Sequence, residues 1–227
     1  MNQLNHVAFI MDGNGRWGKK KRKTRNYGHF NGVKTVKKVV EASIKLNIPT
    51  ITFFVFSTEN WKRPSSEINY LFKILSIYID KEIKNLKKRN IKIKIIGNLK
   101  PFPKNLKLKL YNVQSSTKYN KKIQINMALN YGSREEIITT VNKLIKKKIV
   151  INEKNISKYL YTGEIPDPEI LIRTGNTYRI SNFLSWQCIY SEIFFVKKMW
   201  PDFNENDFNR IILKFKNINR NFGGLHD

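Results

Sequence analysis

The sequence predicts an α/β fold: a single domain over residues 1–227, with a mostly parallel central sheet flanked by helices and an active site at the carboxyl ends of the strands. Three observations carry this. Short β-rich apolar runs alternate with longer segments of helical periodicity, the order of βα units stacked into a parallel sheet. The 227 residues contain no internal repeat and no linker, and they suffice for one sizeable core. The hydrophobic fraction of 41% lies in the globular range, so disorder is not the default.

Each element follows from its local pattern. HVAFIM at 6–11 reads as a buried strand. A helix is expected over about 31–47, where Val33, Val36, Val39, Val40 and Ile44 form one stripe. ITFFVF at 51–56 is the second strand. SSEINYLFKILSIYIDKEIKNLKKR is a long helix, opened by serines with a glutamate in capping position. IKIKIIG at 91–97 is the third strand, followed by a Pro-containing turn and another helix, and IQINMALNYG at 123–132 is the fourth. Helices follow from Arg134 to about Tyr161, then strands in EILIRTG (169–175) and EIFFV (192–196), then a last helix from about Asn204.

The net charge of +26 has two readings. Lys far outnumbers Arg, with Asn and Ile abundant, as a drifting composition produces. Alternatively the charge serves attraction to phosphates or to an anionic membrane surface. The single cysteine, Cys188, lies in an apolar and aromatic stretch and reads as a small core residue. The N-terminal apolar run is followed by the basic cluster, the wrong order for a signal peptide, and no stretch approaches transmembrane length. A soluble, cytoplasmic protein is expected.

Ligands of open α/β sheets bind beyond the carboxyl ends of the strands. The residues expected there are Asp12 to Arg16, Ser57 to Pro64, Asn130 to Arg134 and Arg173 to Gly175. Residues 13–18 read G-x-G-x-x-G, the spacing of a dinucleotide fingerprint. That reading needs a helix directly after the glycines and a ribose-binding acid about twenty positions on. Here the glycines run into KKKRKTRNYGH, and the second strand ends too late. Asp12, directly before Gly13, also sets an anion where a phosphate would sit. A cation between the two resolves the conflict, and Mg²⁺ prefers one or two carboxylates plus phosphate oxygens. The stretch is therefore expected to be a Mg²⁺-diphosphate cradle: Asp12 on the metal, backbone N–H groups of the Gly-rich turn on the oxygens, Arg16 and Arg25 supplying charge. The alternative is that Asp12 only caps a turn. A second anion site is expected where Arg173, at a strand end, meets Arg179 and Ser181. Two anion sites beside one metal imply two phosphorylated substrates.

These residues carry a resemblance. HVAFIMDGNGRW, FSTENWKRP, ALNYGSREEI, IRTGNTYRISNFLSWQ and YSEIFF, followed by WPDF and FGG, resemble the motifs of the cis-prenyltransferases, most closely the bacterial undecaprenyl diphosphate synthases. The match runs in order from about His6 to Gly224, and there is no DDxxD motif of the all-helical trans-prenyltransferases. The resemblance implies repeated cis-condensation of isopentenyl diphosphate onto farnesyl diphosphate, Mg²⁺ dependence, a homodimer, and a product that becomes the carrier lipid for cell-wall glycans. Peripheral membrane contact for product release is a further expectation.

Residue by residue, the resemblance implies that Asp12 is the Mg²⁺ ligand, with Glu192 as a second acidic contributor near the metal. Gly13, Asn14, Gly15, Arg16, Trp17, Arg25 and His29 match the allylic diphosphate site. Ser57, Thr58, Glu59, Asn60, Trp61 and Arg63 match a mobile loop over the active site, Asn60 at a position assigned to proton acceptance. An amide is a poor base, so Asn60 could instead orient a proton path toward the expelled diphosphate. Arg173, Arg179, Ile180 and Ser181 match the isopentenyl diphosphate site, with only Arg179 and Ser181 as polar contacts among the last three. An apolar tunnel for the growing lipid is expected along the sheet and the stripe Ile68, Leu71, Phe72, Leu75 and Ile79. The chain departs from the family pattern at Asn176 and Thr177, and at Asn221, where relatives carry an arginine before FGG that reaches across a dimer; here Arg220 is one position earlier. A nucleic-acid-binding protein would account for Lys19 to Lys23, but no base-stacking aromatics are interleaved there, so no nucleic-acid partner is expected. A nicotinamide-dependent oxidoreductase would account for the glycines but lacks the ribose acid.

Overall fold

The computed structural model describes residues 2–221. The FGG motif at 222–224 lies outside the described residues. Six strands, all parallel, form one sheet: β1 (His6–Ile10), β2 (Thr50–Ser57), β3 (Ile91–Ile96), β4 (Ile123–Tyr131), β5 (Ile170–Arg173) and β6 (Glu192–Phe195), in the order β3-β4-β2-β1-β5-β6. Among the described residues the helices are α1 (Asn14–Lys20), α2 (Arg25–Lys45), α3 (Ser65–Lys88), α4 (Lys104–Ser116), α5 (Ser133–Lys146), α6 (Glu153–Tyr159) and α7 (Glu205–Lys216). Short 3₁₀ turns occupy Thr58–Lys62 and Trp200–Asp202.

Because helices cover both faces, the central strands are apolar on both sides. Val7 and Phe9 of β1 join one core with Ile51, Phe53, Trp200 and Phe208, while Ala8 and Ile10 point to a second core with Ile96, Phe183 and Leu184. Cys188 belongs to the second core, and burial pushes its thiol up to about 12, so it packs rather than reacts. The Thr24 hydroxyl accepts from the Tyr27 N–H at 3.2 Å and starts α2 at Arg25, about six residues before the start expected from the sequence. Asn204 and Asp207 close a reciprocal capping box on α7. Among the described residues, no helix is long and apolar enough to cross a membrane.

One premise of the sequence reading is corrected. The glycines do enter a helix at once: α1 begins at Asn14, with Gly13 as its N-cap. Gly13 has φ of 103°, in the left-handed region that favours glycine, and a Cβ there would lie 2.8 Å from Met199 Cβ. A Cβ on Gly15 would lie 2.6 Å from Arg25 Cζ. The second glycine of the fingerprint thus makes room for a guanidinium of this chain.

Candidate active site

The chain leaves β1 toward β2 and leaves β5 toward β6, on opposite sides, so the sheet has its topological switch point between β1 and β5. Ile10 at the end of β1 lies in register with Arg173 at the end of β5. A cleft of about 740 Å³ opens there, lined by Asp12 to Arg16, Arg25, His29, Ser57, Glu59, Asn60, Arg63, Arg173, Arg179 and Ser181. Three of the four strand ends expected to gather do so, and Asn182 stands in for the fourth by holding the start of α5.

Asp12 is the centre of the cleft's first group. Its Oδ2 accepts from Arg173 Nη2 at 2.8 Å, and its Oδ1 from Arg16 Nη2 at 3.1 Å. Its backbone carbonyl accepts from Thr174 Oγ1 at 2.8 Å and from the Trp200 N–H at 3.0 Å, which fixes the residue at its strand end. Burial pushes the Asp12 carboxyl up, but the hydrogen bond and charge of Arg173, then those of Arg16, outweigh it and hold the group below its ordinary value. Asp12 is thus an anion held by two cations. Arg173 is only 4% exposed. It also donates from Nη1 to Ser181 Oγ at 2.6 Å and to the Arg179 carbonyl, so the predicted second anion site is physically continuous with the first.

The second group is built on a residue the sequence reading assigned elsewhere. Glu67 does not cap α3, whose N-cap is Pro64 without a side-chain bond. Its buried carboxylate accepts from Arg25 Nε at 2.8 Å and Nη2 at 3.2 Å, meets His29 Nε2 at 3.1 Å, and lies 3.4 Å from Arg63 Nη1. Burial raises the Glu67 carboxyl, but Arg25, His29 and Arg63 bring it below its ordinary value. Burial pushes the His29 imidazole down against the opposing pull of Glu67. One carboxylate therefore pre-orders three nitrogen donors along one wall of the cleft. The Arg63 and Glu67 pair at i,i+4 was the available sequence signal for it.

The 3₁₀ turn after β2 forms the roof. Ser57, the N-cap at the end of β2, is tied to the turn by its N–H donating to Asn60 Oδ1 at 3.1 Å. The Asn60 carbonyl oxygen is thereby occupied, which weakens it further as a proton acceptor. Asn182 Nδ2 donates to Glu59 Oε1 at 2.9 Å, while Asn182 Oδ1 accepts from the Arg134 N–H and its carbonyl from the Ser133 N–H. Ser181 and Asn182 both adopt left-handed backbone, with φ of 51° and 61°. Such strain collects at functional sites, held by surrounding bonds of this kind.

An apolar tunnel of about 210 Å³ continues from the cleft between α2 and α3 over the sheet. Met11, Asn14, His29, Val55 and Leu71 line both cavities. Of the expected tunnel stripe, Leu71, Phe72, Leu75 and Ile79 line it, whereas Ile68 packs in the core. The opposite wall is Val33, Val36 and Val40 of α2.

Five residues expected at the site do not line the cleft. Trp17 donates to Asp202 Oδ1 at 2.7 Å and stacks on Tyr27, pinning α1 to α2. Trp61 donates to Asn130 Oδ1 at 2.8 Å and packs among Phe56, Phe72 and Phe102, so it anchors the roof from beneath. Thr58 lies against Gly132, where a Cβ would come within 2.6 Å of its hydroxyl. Ile180 packs on the second core. Glu192 is the first residue of β6, opposite Ile170 at the amino ends of the strands, and lies 3.5 Å from Arg220 Nε. Parallel pairing thus puts it at the end of the sheet opposite to Asp12, and within one chain the two carboxylates do not meet.

Comparison with known proteins agrees with this geometry. The family model Prenyltransf, described as undecaprenyl diphosphate synthase, matches residues 10–223. A ditrans,polycis-undecaprenyl-diphosphate synthase ((2E,6E)-farnesyl-diphosphate specific) of Buchnera aphidicola is 45% identical, over 98% of this chain and 92% of its own. One of the same name from Micrococcus luteus is 41% identical, over 97% and 91%. The crystal structure of a probable undecaprenyl diphosphate synthase from Campylobacter jejuni superposes with a TM-score of 0.86 at 37% identity, over 98% of this chain and 100% of the other. That of lavandulyl diphosphate synthase from Lavandula x intermedia, in complex with dimethylallyl diphosphate, gives 0.92 at 29% identity, over 97% and 98%. The fold is thus shared with these two solved structures, and the family match together with these identities over nearly the whole chain shows that it belongs to the undecaprenyl diphosphate synthase family of cis-prenyltransferases.

Proposed function

We propose that this chain condenses isopentenyl diphosphate sequentially, in cis, onto farnesyl diphosphate, yielding a long-chain polyprenyl diphosphate such as undecaprenyl diphosphate. The observation that carries the reading is the joining of two cavities of opposite chemistry: a cleft with two cationic clusters opens directly into an apolar tunnel. A diphosphate head with a growing hydrocarbon tail is the ligand class that fits both. Arg25, His29 and Arg63 take the allylic diphosphate, and Arg173, Arg179 and Ser181 take that of isopentenyl diphosphate.

Among the described residues no three His, Cys, Asp or Glu side chains gather to hold a metal. Asp12 fits Mg²⁺ nonetheless, being an ionised carboxylate 29% exposed in an arginine-lined cleft, and an ion held there would take its remaining ligands from phosphate oxygens and water. When bound, Mg²⁺ supplies charge to the departing diphosphate. Glu192 would join such a site only from a second copy of the chain. A homodimer is favoured by the exposed apolar side chains Ile193 and Phe195 along the edge strand β6, with exposed Tyr178 packed on Phe195.

In the reaction the allylic C1–O bond breaks and diphosphate leaves, the double-bond electrons of isopentenyl diphosphate form the new C–C bond to that C1, and the C2 proton of the isopentenyl unit passes to the expelled diphosphate. The arginines stabilise the charge accumulating on the leaving group. The roof turn, tied to Asn182 through Glu59, excludes water from the cationic allylic carbon. Each lengthened product slides its tail along Leu71, Leu75 and Ile79, and its diphosphate becomes the next leaving group. We place the reaction in the cytoplasm, with its lipid product passing to the membrane. Incubating the protein with Mg²⁺, farnesyl diphosphate and labelled isopentenyl diphosphate, then sizing the extracted lipid, tests the reading. Absence of any lipid longer than farnesyl diphosphate overturns it.

A further inference from the structure

The tunnel lies between α2 and α3, and the solvent faces of these helices have a distinct character. Along α3 the exposed positions Lys73, Ile77, Lys81, Lys84 and Lys88 are spaced three and four apart as one helical stripe, with half-buried Tyr70 at its start. Of the acids on α3, Asp80 is the one that borders that stripe, three residues after Ile77 and four before Lys84. Asp80 is taken by Lys109 of α4, Glu67 is buried against Arg25, His29 and Arg63, and Glu82 lies 4.0 Å from Lys37 of α2. The sole acid of α2, Glu41, pairs with Arg89 at 3.6 Å. Among the described residues no carboxylate neutralises Lys34, Lys38, Lys73, Lys81, Lys84 or Lys88.

Two large apolar side chains stand out from this cationic field. Ile77, in the middle of the α3 stripe, is 55% exposed, and Phe30 on α2, with Lys34 Nζ 5.2 Å from its ring centroid, is 50% exposed. Cations surrounding protruding apolar groups match the boundary of an anionic bilayer, where lysines meet headgroup phosphates and the apolar groups enter the acyl edge. A duplex nucleic acid would use the lysines and leave Ile77 in water. The turn after α5, with Lys146, Lys147 and Lys148, is also basic, but it does not flank the tunnel.

We propose that the outer face of α2 and α3 docks on an anionic lipid bilayer, so that the seam between these helices delivers the lipid product from the tunnel into the membrane. The choice of face rests on the lipid-tunnel reading given above. The attraction itself does not require catalysis. Each lysine held near an anionic surface contributes about fivefold in partitioning, and salt screens it.

The test is sedimentation of the full chain, without substrate, with vesicles of phosphatidylcholine alone and of phosphatidylcholine mixed with phosphatidylglycerol. The unmodified chain should bind only the anionic vesicles, and less as salt rises. Exchanging Lys73, Lys81, Lys84 and Lys88 together for Gln should weaken this several hundredfold, roughly five multiplied by itself four times. The same exchange at Lys143, Lys146, Lys147 and Lys148 removes equal charge elsewhere and should cost far less. Ile77→Ser should weaken vesicle binding while leaving any binding to duplex DNA unchanged. Equal losses in the two quadruple variants would show that net charge alone acts, and would overturn the proposal. So would absence of binding to the anionic vesicles, or a loss confined to DNA. Failed condensation with vesicle binding intact would sink the enzymatic reading and leave the docking face standing.

Discussion

Removing the Asp12 carboxylate separates its chemistry from its place in the fold. Asp12→Ala deletes one charge-assisted hydrogen bond to the buried Arg173 and one to the half-exposed Arg16. The first is worth about 1.5–3 kcal/mol. The second, largely in solvent, adds about 0–1 kcal/mol. Arg173 keeps Ser181 Oγ and the Arg179 carbonyl, so it is not stranded, and the loss stays within about 1.5–4 kcal/mol. At about 2–4 °C per kcal/mol for a chain of this size, the melting temperature should fall by about 3–16 °C, with the transition still cooperative. Turnover should fall at least about a thousandfold, because the metal's stabilisation of a departing diphosphate is worth several kcal/mol and each 1.4 kcal/mol is about tenfold. Added Mg²⁺ should restore little, since the position of the metal is lost with its ligand. Steady-state condensation with labelled isopentenyl diphosphate, beside a thermal melt, measures both. Asp12→Asn, which preserves the side-chain shape, serves as the second variant should the alanine form melt too low. Turnover within tenfold of the unmodified protein in either variant would show that Asp12 only shapes a turn.

Arg173→Ala should raise the KM for isopentenyl diphosphate about ten- to a hundredfold and change that for farnesyl diphosphate less, the loss expected for one charge-assisted hydrogen bond; equal losses for both would mean the pockets are exchanged. His6 is buried, its ring between the Pro166 carbonyl and Thr52 Oγ1, and burial lowers its pKa from 6.5 to about 4 despite the Pro166 bond. The unfolded chain therefore binds the extra proton first, and stability present above pH 6.5 should decline by about 3 kcal/mol as pH falls toward 4. Urea midpoints across that range should fall more steeply for the unmodified protein than for His6→Asn, and parallel slopes would dismiss His6 as the cause.

Much of the fold was legible because its determinants are local. The apolar runs at 6–11, 51–56 and 91–97 announce strands, and each lies where expected, since β-branched and aromatic runs of that length have few other uses. The start of α2 was missed because its first turn, RNYGHF, lacks the apolar stripe; Thr24 alone signals it. The glycine spacing misled because its steric purpose concerns contacts within this chain, such as that of Gly15 with Arg25. Trp17, Trp61 and Ile180 sit inside site motifs yet point into packing. A motif names a segment, while the direction of each side chain follows from which neighbour covers it.

By itself the sequence determined the order of the elements, the residues at the strand ends, and the pairing of a metal-suited carboxylate with phosphate-suited arginines. These follow from short-range periodicity and side-chain chemistry. Only the tertiary structure decided which of those residues meet. Asp12 and Arg173 stand 161 positions apart and are joined because β5 pairs with β1 at the switch point of the sheet. Glu67 became the shared partner of Arg25, His29 and Arg63 because α3 packs beside α2, and Glu192 was carried to the opposite end of the sheet because β6 runs parallel to β5. Such contacts depend on strand order and helix packing, long-range choices that no local pattern along the chain encodes.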